Sequence, residues 1–588
     1  MKSWLLILMV FGLAKTAIAF VLFKNEDGKP LKWHLDNLNP LVHPNVVNRE
    51  TREIQFHLSN DGWSEENVEA ELNSVRSAVA QWQAVSGTIL KFSEGDLLDP
   101  GVDINGNDNR NVIYWIKEAA PSGAVLVNNE RSEISGSLAV TFPTYFEDHT
   151  IVEADMVFNG VNHRWFTDYT NSFSKDNLVE AVALHEFGHF IGLQHSPLGA
   201  ASMFSRTVAG VSVSAGLTLD EVAAVRSLYG IKTEANQLGS IVGNVKLDNK
   251  KIFGAVIIAE DKHGNIVQST VTNKGGDYEL LSLTPNQYYI RVSPLHSPLA
   301  NQPLVRDVDI SIEYQGADIN FISTKPSKVT VTSNNVTKAD FTVLGGNPSF
   351  YINAIRPATK KENLFEFAFG PFGIKPDGEK QLIGVYSPNL PTRSAKLRVT
   401  GDGITYGNTT FDSDVFNGYN LITVEITVQK NASPGIRSLY VVKGNERTYA
   451  NGFIEIFPNI QDFDFDGLND FWQRKNFPIF ASKISRAGAD PDADGYSNLE
   501  EYITGKDPNN TESYPSLEIN SITVDHNGTT IQWNSIPDKS YQVWRKKDVA
   551  SSKWIKVKGP QTAQRSFMFF NDPDEREKLQ FYRVQALP

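Results

Sequence analysis

The stretch His185-Glu186-Phe187-Gly188-His189-Phe190-Ile191-Gly192-Leu193-Gln194-His195 decides how the N-terminal part of this chain is read. It has the form H-E-x-x-H-x-x-G-x-x-H. On a helix, His185 and His189 stand at i and i+4, so both imidazoles leave one face and can share one small cation. Glu186 sits about 100° around the helix from His185. From there its carboxylate can reach a water on that ion without being a ligand. Gly192 tolerates positive φ, so the helix can end there in a sharp turn. The turn brings His195 back as a third nitrogen. Three protein ligands leave a fourth position open, the arrangement of a catalytic zinc rather than a structural one. The expectation is Zn2+ on His185, His189 and His195, with Glu186 as general base. The competing reading is an amphipathic core helix with incidental histidines.

Working outward, Glu53 to Leu58 alternates like a strand, and Ser64-Glu65-Glu66-Asn67 opens a helix carrying Val68, Leu72, Val75, Val79 and Trp82. Strand patterns follow at 89–92, 112–115, 138–141 and 154–158, then the histidine helix from about Asp176 to Ile191 and a last helix from Asp220 to Leu228. Sheet, histidine helix and closing helix make an α+β domain. After Lys232 helical periodicity nearly vanishes, and short alternating strands recur between Gly, Asn and Pro turns. The fold class expected is therefore multidomain: an α+β catalytic domain, all-β sandwich modules and a short calcium-loop segment. The boundaries read as a leader at 1–19, the catalytic domain at 20–232, sandwiches at 237–345 and 347–458, an Asp-rich segment at 460–512 and a β-module at 515–588.

The leader has Lys2, an apolar run from Trp4 to Leu13 and Ala17-Ile18-Ala19, the pattern of a secretory signal peptide. The expected location is outside the cell, free or held at its surface, with no span in the mature chain. The chain of 588 residues has a net charge of −13 and no basic block, which argues against nucleic acid as a partner. It has no Cys, so neither disulfides nor a thiolate can act on the zinc site.

Residues 30–230 resemble the matrixins among the metzincin metallopeptidases. Beyond the histidines, the resemblance rests on Ser196 after the third ligand and on Ser202-Met203-Phe204 at Met-turn spacing. It rests also on the run Leu217 to Gly230, which looks like the closing helix, and on Ile151 to Asn159, which looks like the strand before the catalytic helix. The family implies that Met203 packs beneath the ligands, and that the strand around Ser137–Thr141 is the edge strand above the cleft. Ser205 stands where astacins and serralysins have a tyrosine, which favours the three-histidine site. Animal matrixins are silenced by a prodomain cysteine and some bacterial ones by an aspartate. Asp36 is the candidate here, against the reading of a surface turn. The resemblance implies a secreted zinc metalloendopeptidase acting on extracellular proteins or peptides. The alternative is a catalytically silent adhesion or matrix-binding protein.

Two Asp-rich loops carry the other chemical signature. Asp490, Asp492, Asp494, Tyr496 (through its carbonyl), Asn498 and Glu501 fall at the ligand positions of an EF-hand-like loop, with Gly495 at the sixth. Asp462, Asp464, Asp466, Leu468 and Asp470 repeat the first part, but Gln473 replaces the bidentate Glu. Structural Ca2+ is expected, weaker at the first loop. The sandwiches resemble carboxypeptidase regulatory-like and Ig-like modules and read as spacers or as binders of a matrix or cell-surface ligand. Trp533, Trp544 and Trp554 read as core rather than as carbohydrate platforms.

Overall fold

A computed structural model of the chain describes residues 7–8 and 29–586, apart from 107, 129, 172–173, 206–214, 232–236, 296–313, 315, 347, 359–370, 459–460, 516, 526, 538, 548–552 and 574–579. The leader expected at 1–19 therefore lies outside the described residues, save Ile7 and Leu8. Two compact units divide the chain, Met1–Asp464 and Phe465–Pro588. No helix among the described residues is long and apolar enough to cross a membrane.

In the first unit, a twisted sheet is built from β1 (Ile54–Leu58), β2 (Phe92–Glu94), β3 (Val112–Ile116), β4 (Ala139–Tyr145) and β5 (Ile151–Asn159). Their order is β4-β5-β3-β1-β2, and only the β4–β5 pair is antiparallel. Pleating sends alternate side chains to opposite faces. Ile113, Trp115, Met156 and Phe158 face the main core with the helices. Val112, Tyr114 and Val157 face a smaller core with Ile104, Val125, Val127 and Ile134. Both faces are thus covered, which explains why β3 and β5 read as nearly continuous apolar runs.

Helices α1 (Val68–Ala84), α2 (Val179–Phe190) and α3 (Leu219–Tyr229) pack on the first face. α2 is buried along all its residues. Trp82 of α1 donates its indole N–H to Leu184 O of α2 at 2.9 Å. The sequence pattern starts α2 at Asp176. Instead Asn177 and Leu178 pair in parallel with Trp165 and Phe166, so the helix begins at Val179. The strand expected at 89–92 likewise starts only at Phe92, because its pairing to β1 begins at Ile54 opposite Phe92.

The rest of the unit is β-structure. One four-stranded sheet joins 266–271, 255–260, 286–294 and 327–331, facing a sheet around Gly239–Leu247 across a core of Ile241, Ile257, Leu280 and Ile290. Two four-stranded sheets spanning 354–456 enclose Ile383, Val424, Leu439 and Ile454. The second unit carries α4 (Asp470–Asn476), α5 (Asn498–Thr504) and two three-stranded sheets around Ile531, Trp533 and Val543. Trp533 is core, as expected, whereas Trp544 and Trp554 are only half-buried, with Lys556 and Arg583 stacked over Trp544.

Candidate active site

The end of α2 is over-determined, and that is what aims the third histidine. Gly192 has φ +94, and a Cβ there would lie 2.1 Å from Leu31 O, so only glycine fits. Leu193 N–H reaches back to Gly188 O at 2.8 Å, a C-terminal closure that also reverses the chain. The last helical carbonyls, orphaned by the turn, are met by Trp33 Nε1 at Phe190 O and by the Tyr229 hydroxyl at Ile191 O.

His185, His189 and His195 converge, each with a ring nitrogen within 4.8 Å of the others'. His185 Nδ1 lies 2.7 Å from Ser202 O and His189 Nδ1 lies 2.8 Å from Leu193 O. A carbonyl only accepts, so each Nδ1 carries the proton and each Nε2 is left as a lone pair. These two Nε2 atoms face each other at 3.2 Å. Two lone pairs so placed repel unless a cation lies between them. Zn–N bonds of about 2.0–2.1 Å in a tetrahedron place ligand nitrogens about 3.3 Å apart, so the set fits zinc. Burial pushes His185 down to about 4. Burial and the neighbouring His185 push His189 down to about 3, and burial together with both neighbours holds His195 well below the usual imidazole range. All three rings stay neutral at ordinary pH, as metal ligands must.

Glu186 is buried and takes a hydrogen bond of 2.7 Å at Oε2 from the Thr141 hydroxyl, which also touches Glu186 O at 3.0 Å. Burial lifts the carboxyl to about 7, against the lowering pull of Thr141. Thr141 lies on β4, the outer strand of the sheet apart from Ile7 and Leu8, which pair with Tyr145 and Thr144 near its far end. Pro143, which has no N–H to give a ladder, sits in this outer strand as such a residue must. The sequence singled out the strand but not Thr141 as the partner of Glu186. That pairing depends on how β4 lies over α2 and has no local signature.

Met203 packs its sulfur beneath α2. A Cβ added at Gly188 would lie 2.1 Å from Met203 Sδ, so the helix and the thioether are in direct contact. Met203 N–H donates to Glu221 Oε1 at 2.9 Å, and Met203 O accepts from Ser196 N–H at 2.7 Å. Glu221 also closes a capping box with Thr218 at the start of α3, a pattern visible in the sequence as Thr218-x-x-Glu221. Asp36 is exposed and does not join the histidine group, so the aspartate latch is not formed here. Residues 206–214, in the loop that follows Met203, lie outside the described residues.

The two Asp-rich loops share a backbone shape. Positive φ occurs at Phe465 and Gly467 in one and at Ala493 and Gly495 in the other. Carboxylates of Asp490, Asp492 and Asp494 lie within 4.8 Å of one another. Asp492 Oδ2, Asp494 Oδ2, Asn498 Oδ1 and both oxygens of Glu501 are buried without hydrogen-bond partners. Tyr496 N–H donates to Asp494 Oδ1 at 2.8 Å, and Leu468 N–H makes the matching bond to Asp466 Oδ1 at 2.9 Å. In the first loop, Asp466 is engaged by two donors. Its Oδ2 accepts from Gln473 Nε2 at 3.1 Å and from Ala487 N–H at 2.7 Å. The replacement of Glu by Gln thus does more than remove a ligand: the amide donates to a carboxylate that the spacing had placed among the ligands.

With this geometry in hand, the comparison with known proteins is specific for one part of the chain. Residues 48–230 match the family model of the matrixins. A curated relative, the metalloendoproteinase 4-MMP of Arabidopsis thaliana, is 39% identical over 67 residues, which is 11% of this chain and 19% of that protein. The chain thus spans about a fifth of the length of the curated relative it matches. Among solved structures it aligns with BcpA, the major pilin subunit of Bacillus cereus, at 12% identity over 37% of this chain and 69% of that one, with a TM-score of 0.14. It aligns with the full-length major pilin SpaD of Corynebacterium diphtheriae at 8% identity over 59% and 80% of the two chains, also with a TM-score of 0.14.

Proposed function

We propose that the chain is an exported zinc metalloendopeptidase, with His185, His189 and His195 as ligands and Glu186 as general base. The observation that carries this is the paired Nε2 atoms, 3.2 Å apart, with both Nδ1 protons committed to backbone carbonyls. Bound zinc would supply a more acidic water and a polarised scissile carbonyl. The chain's own residues do the rest. Glu186 takes a proton from the attacking water and returns it to the leaving amine. Thr141 fixes the rotation of that carboxylate. A substrate lying extended pairs with β4 ahead of Thr144 as an added strand. The leader-like residues 1–19 support action outside the cell.

The test is hydrolysis of casein or gelatin by the full chain. Activity should vanish with a zinc chelator and return on adding zinc. Inert protein with a full complement of zinc would favour the adhesion reading instead. Thr141→Val should cost about tenfold or more in kcat/KM, the worth of one hydrogen bond to a charged group at about 1.5–3 kcal/mol. Because the hydroxyl lowers the pKa of Glu186, its loss should also move the acid limb of the pH profile upward. An unmoved limb would remove Thr141 from the mechanism.

In the second unit, the reading is a structural calcium ion on Asp490, Asp492, Asp494, the Tyr496 carbonyl, Asn498 and Glu501. The unpartnered buried oxygens of Glu501 support it.

A further inference from the structure

The loop Ser196–Phe204 is where the metal centre meets the rest of the first unit, and it is gripped on two sides. On its inner side it serves the histidines. Ser202 O holds the His185 ring, and Met203 lies under Gly188. Ser196, next to His195, closes the loop onto Met203 O at 2.7 Å.

Its outer side belongs to the β-modules. Gly199 N–H donates to Asn451 O at 2.9 Å and Ala200 N–H to Gly452 O at 2.8 Å, so the loop pairs with strand Glu446–Ile456 of the second sandwich. Gly452 has φ +68, and its α-carbon comes close enough that a Cβ there would lie 3.0 Å from the Leu198 Cβ. Phe204 stacks edge-on against Phe453 with ring centroids 5.7 Å apart and is part of the second sandwich's core. Leu198 and Ala201 join Phe253, Val256 and Ile258 in an apolar cluster of the first sandwich. From the same sandwich, Ser269 gives its N–H at 2.6 Å and its hydroxyl at 3.0 Å to the buried carboxylate of Asp220, which also accepts from the Ser196 hydroxyl at 2.7 Å.

We propose that the two β-modules are positioning elements of the zinc centre rather than spacers, and that Phe453, Gly452 and Ser269 are positioning residues for the ligand loop. The loop has no helix or strand of its own, yet Leu198, Ala200 and Ala201 are each 1% exposed, and the modules are what covers them. Without them, two loop N–H groups lose their acceptors and the Asp220 carboxylate loses two of its three donors. The carbonyl that orients His185 would then ride on an unsupported loop.

This rests on the zinc reading, and its test reads metal affinity as well as turnover. In the full chain, Gly199→Val places a side chain where Cβ alone would lie 2.7 Å from the Phe453 ring, and it touches no ligand. Zinc affinity, measured by competition with a chelator, should weaken about 10–100-fold, the usual effect of disturbing groups that orient ligands. kcat should fall with it while KM stays nearly constant. Adding Phe453→Ala relieves the clash but also removes the Phe204 contact, so the double variant should recover only part of the zinc affinity. Ser269→Ala, which leaves the packing intact, should give a smaller loss of the same sign and carries the test if Gly199→Val does not fold. Folded variants with wild-type zinc affinity and kcat would overturn the proposal. If the wild type binds zinc but cleaves nothing, the affinity series still decides it, and only the peptidase reading fails.

Discussion

Glu186→Ala is expected to lower peptide turnover by about 10²–10⁴-fold, the usual worth of a positioned general acid–base group, while zinc stays bound. Two features of the site separate these outcomes. The groups that fix the ligands are Ser202 O and Leu193 O, and neither depends on the Glu186 side chain. The hydroxyl of Thr141 keeps a second acceptor in Glu186 O at 3.0 Å, so β4 stays tied to α2 after truncation. What the truncation removes is a carboxylate that burial has made a stronger base than an exposed one, with a pKa raised to about 7. Bound zinc, being positive, would draw that value down and keep the base ionised where the enzyme works. Glu186→Gln should behave alike, because it preserves shape and the Thr141 contact but cannot take a proton. Zinc content by metal analysis and turnover on a quenched peptide give the two readouts. Turnover within tenfold of wild type in the zinc-loaded variant would remove Glu186 from the role of base.

How much of this was legible in the sequence follows from how local each interaction is. The i, i+4 histidines, the glycine that ends the helix and the third histidine lie within eleven residues; helix geometry brings the first two together and the turn at Gly192 returns the third. The capping box Thr218–Glu221 is equally local. Met203 was found only through resemblance, since nothing in its own neighbourhood shows that its sulfur lies under Gly188. The acceptors on Ser202 and Leu193 are backbone carbonyls, which every residue has, so no residue type marks them. Thr141 became visible only once β4 was laid beside α2. Asp466 reads as a ligand by spacing and is occupied instead by Gln473 and Ala487, a partner 21 residues away. The grip of the β-modules on residues 196–204 was invisible for the same reason. Short alternating strands state that a sandwich exists, but not what its edges touch.

Removing calcium should loosen the second unit, and the size of the effect should grow with pH. Glu501 is fully buried with both oxygens unpartnered. Burial, followed by the charges of Asp494, Asp492 and Asp490, raises its carboxyl to about 7. Without an ion, the folded loop therefore holds a proton that the unfolded chain releases near pH 4.5. Stability without calcium is greatest below that value and declines as pH rises towards about 7. Calcium reverses the sign. It binds the ionised carboxylates, so its affinity climbs through the same window as the competing proton leaves. The curves with and without calcium should diverge from pH 5 to pH 8. An ion present at a hundred times its Kd adds about 2.7 kcal/mol, which for a domain of this size is a shift in Tm on the order of 10 °C. Glu501→Gln should remove the uncompensated charge, raising stability in a chelator at pH 8 while abolishing most of the response to calcium. Scanning calorimetry of the full chain at pH 5 and pH 8, with and without a calcium chelator, follows the transition of this unit. A transition indifferent to the chelator at pH 8, or a larger chelator effect at pH 5, would refute the calcium assignment at Asp490–Glu501.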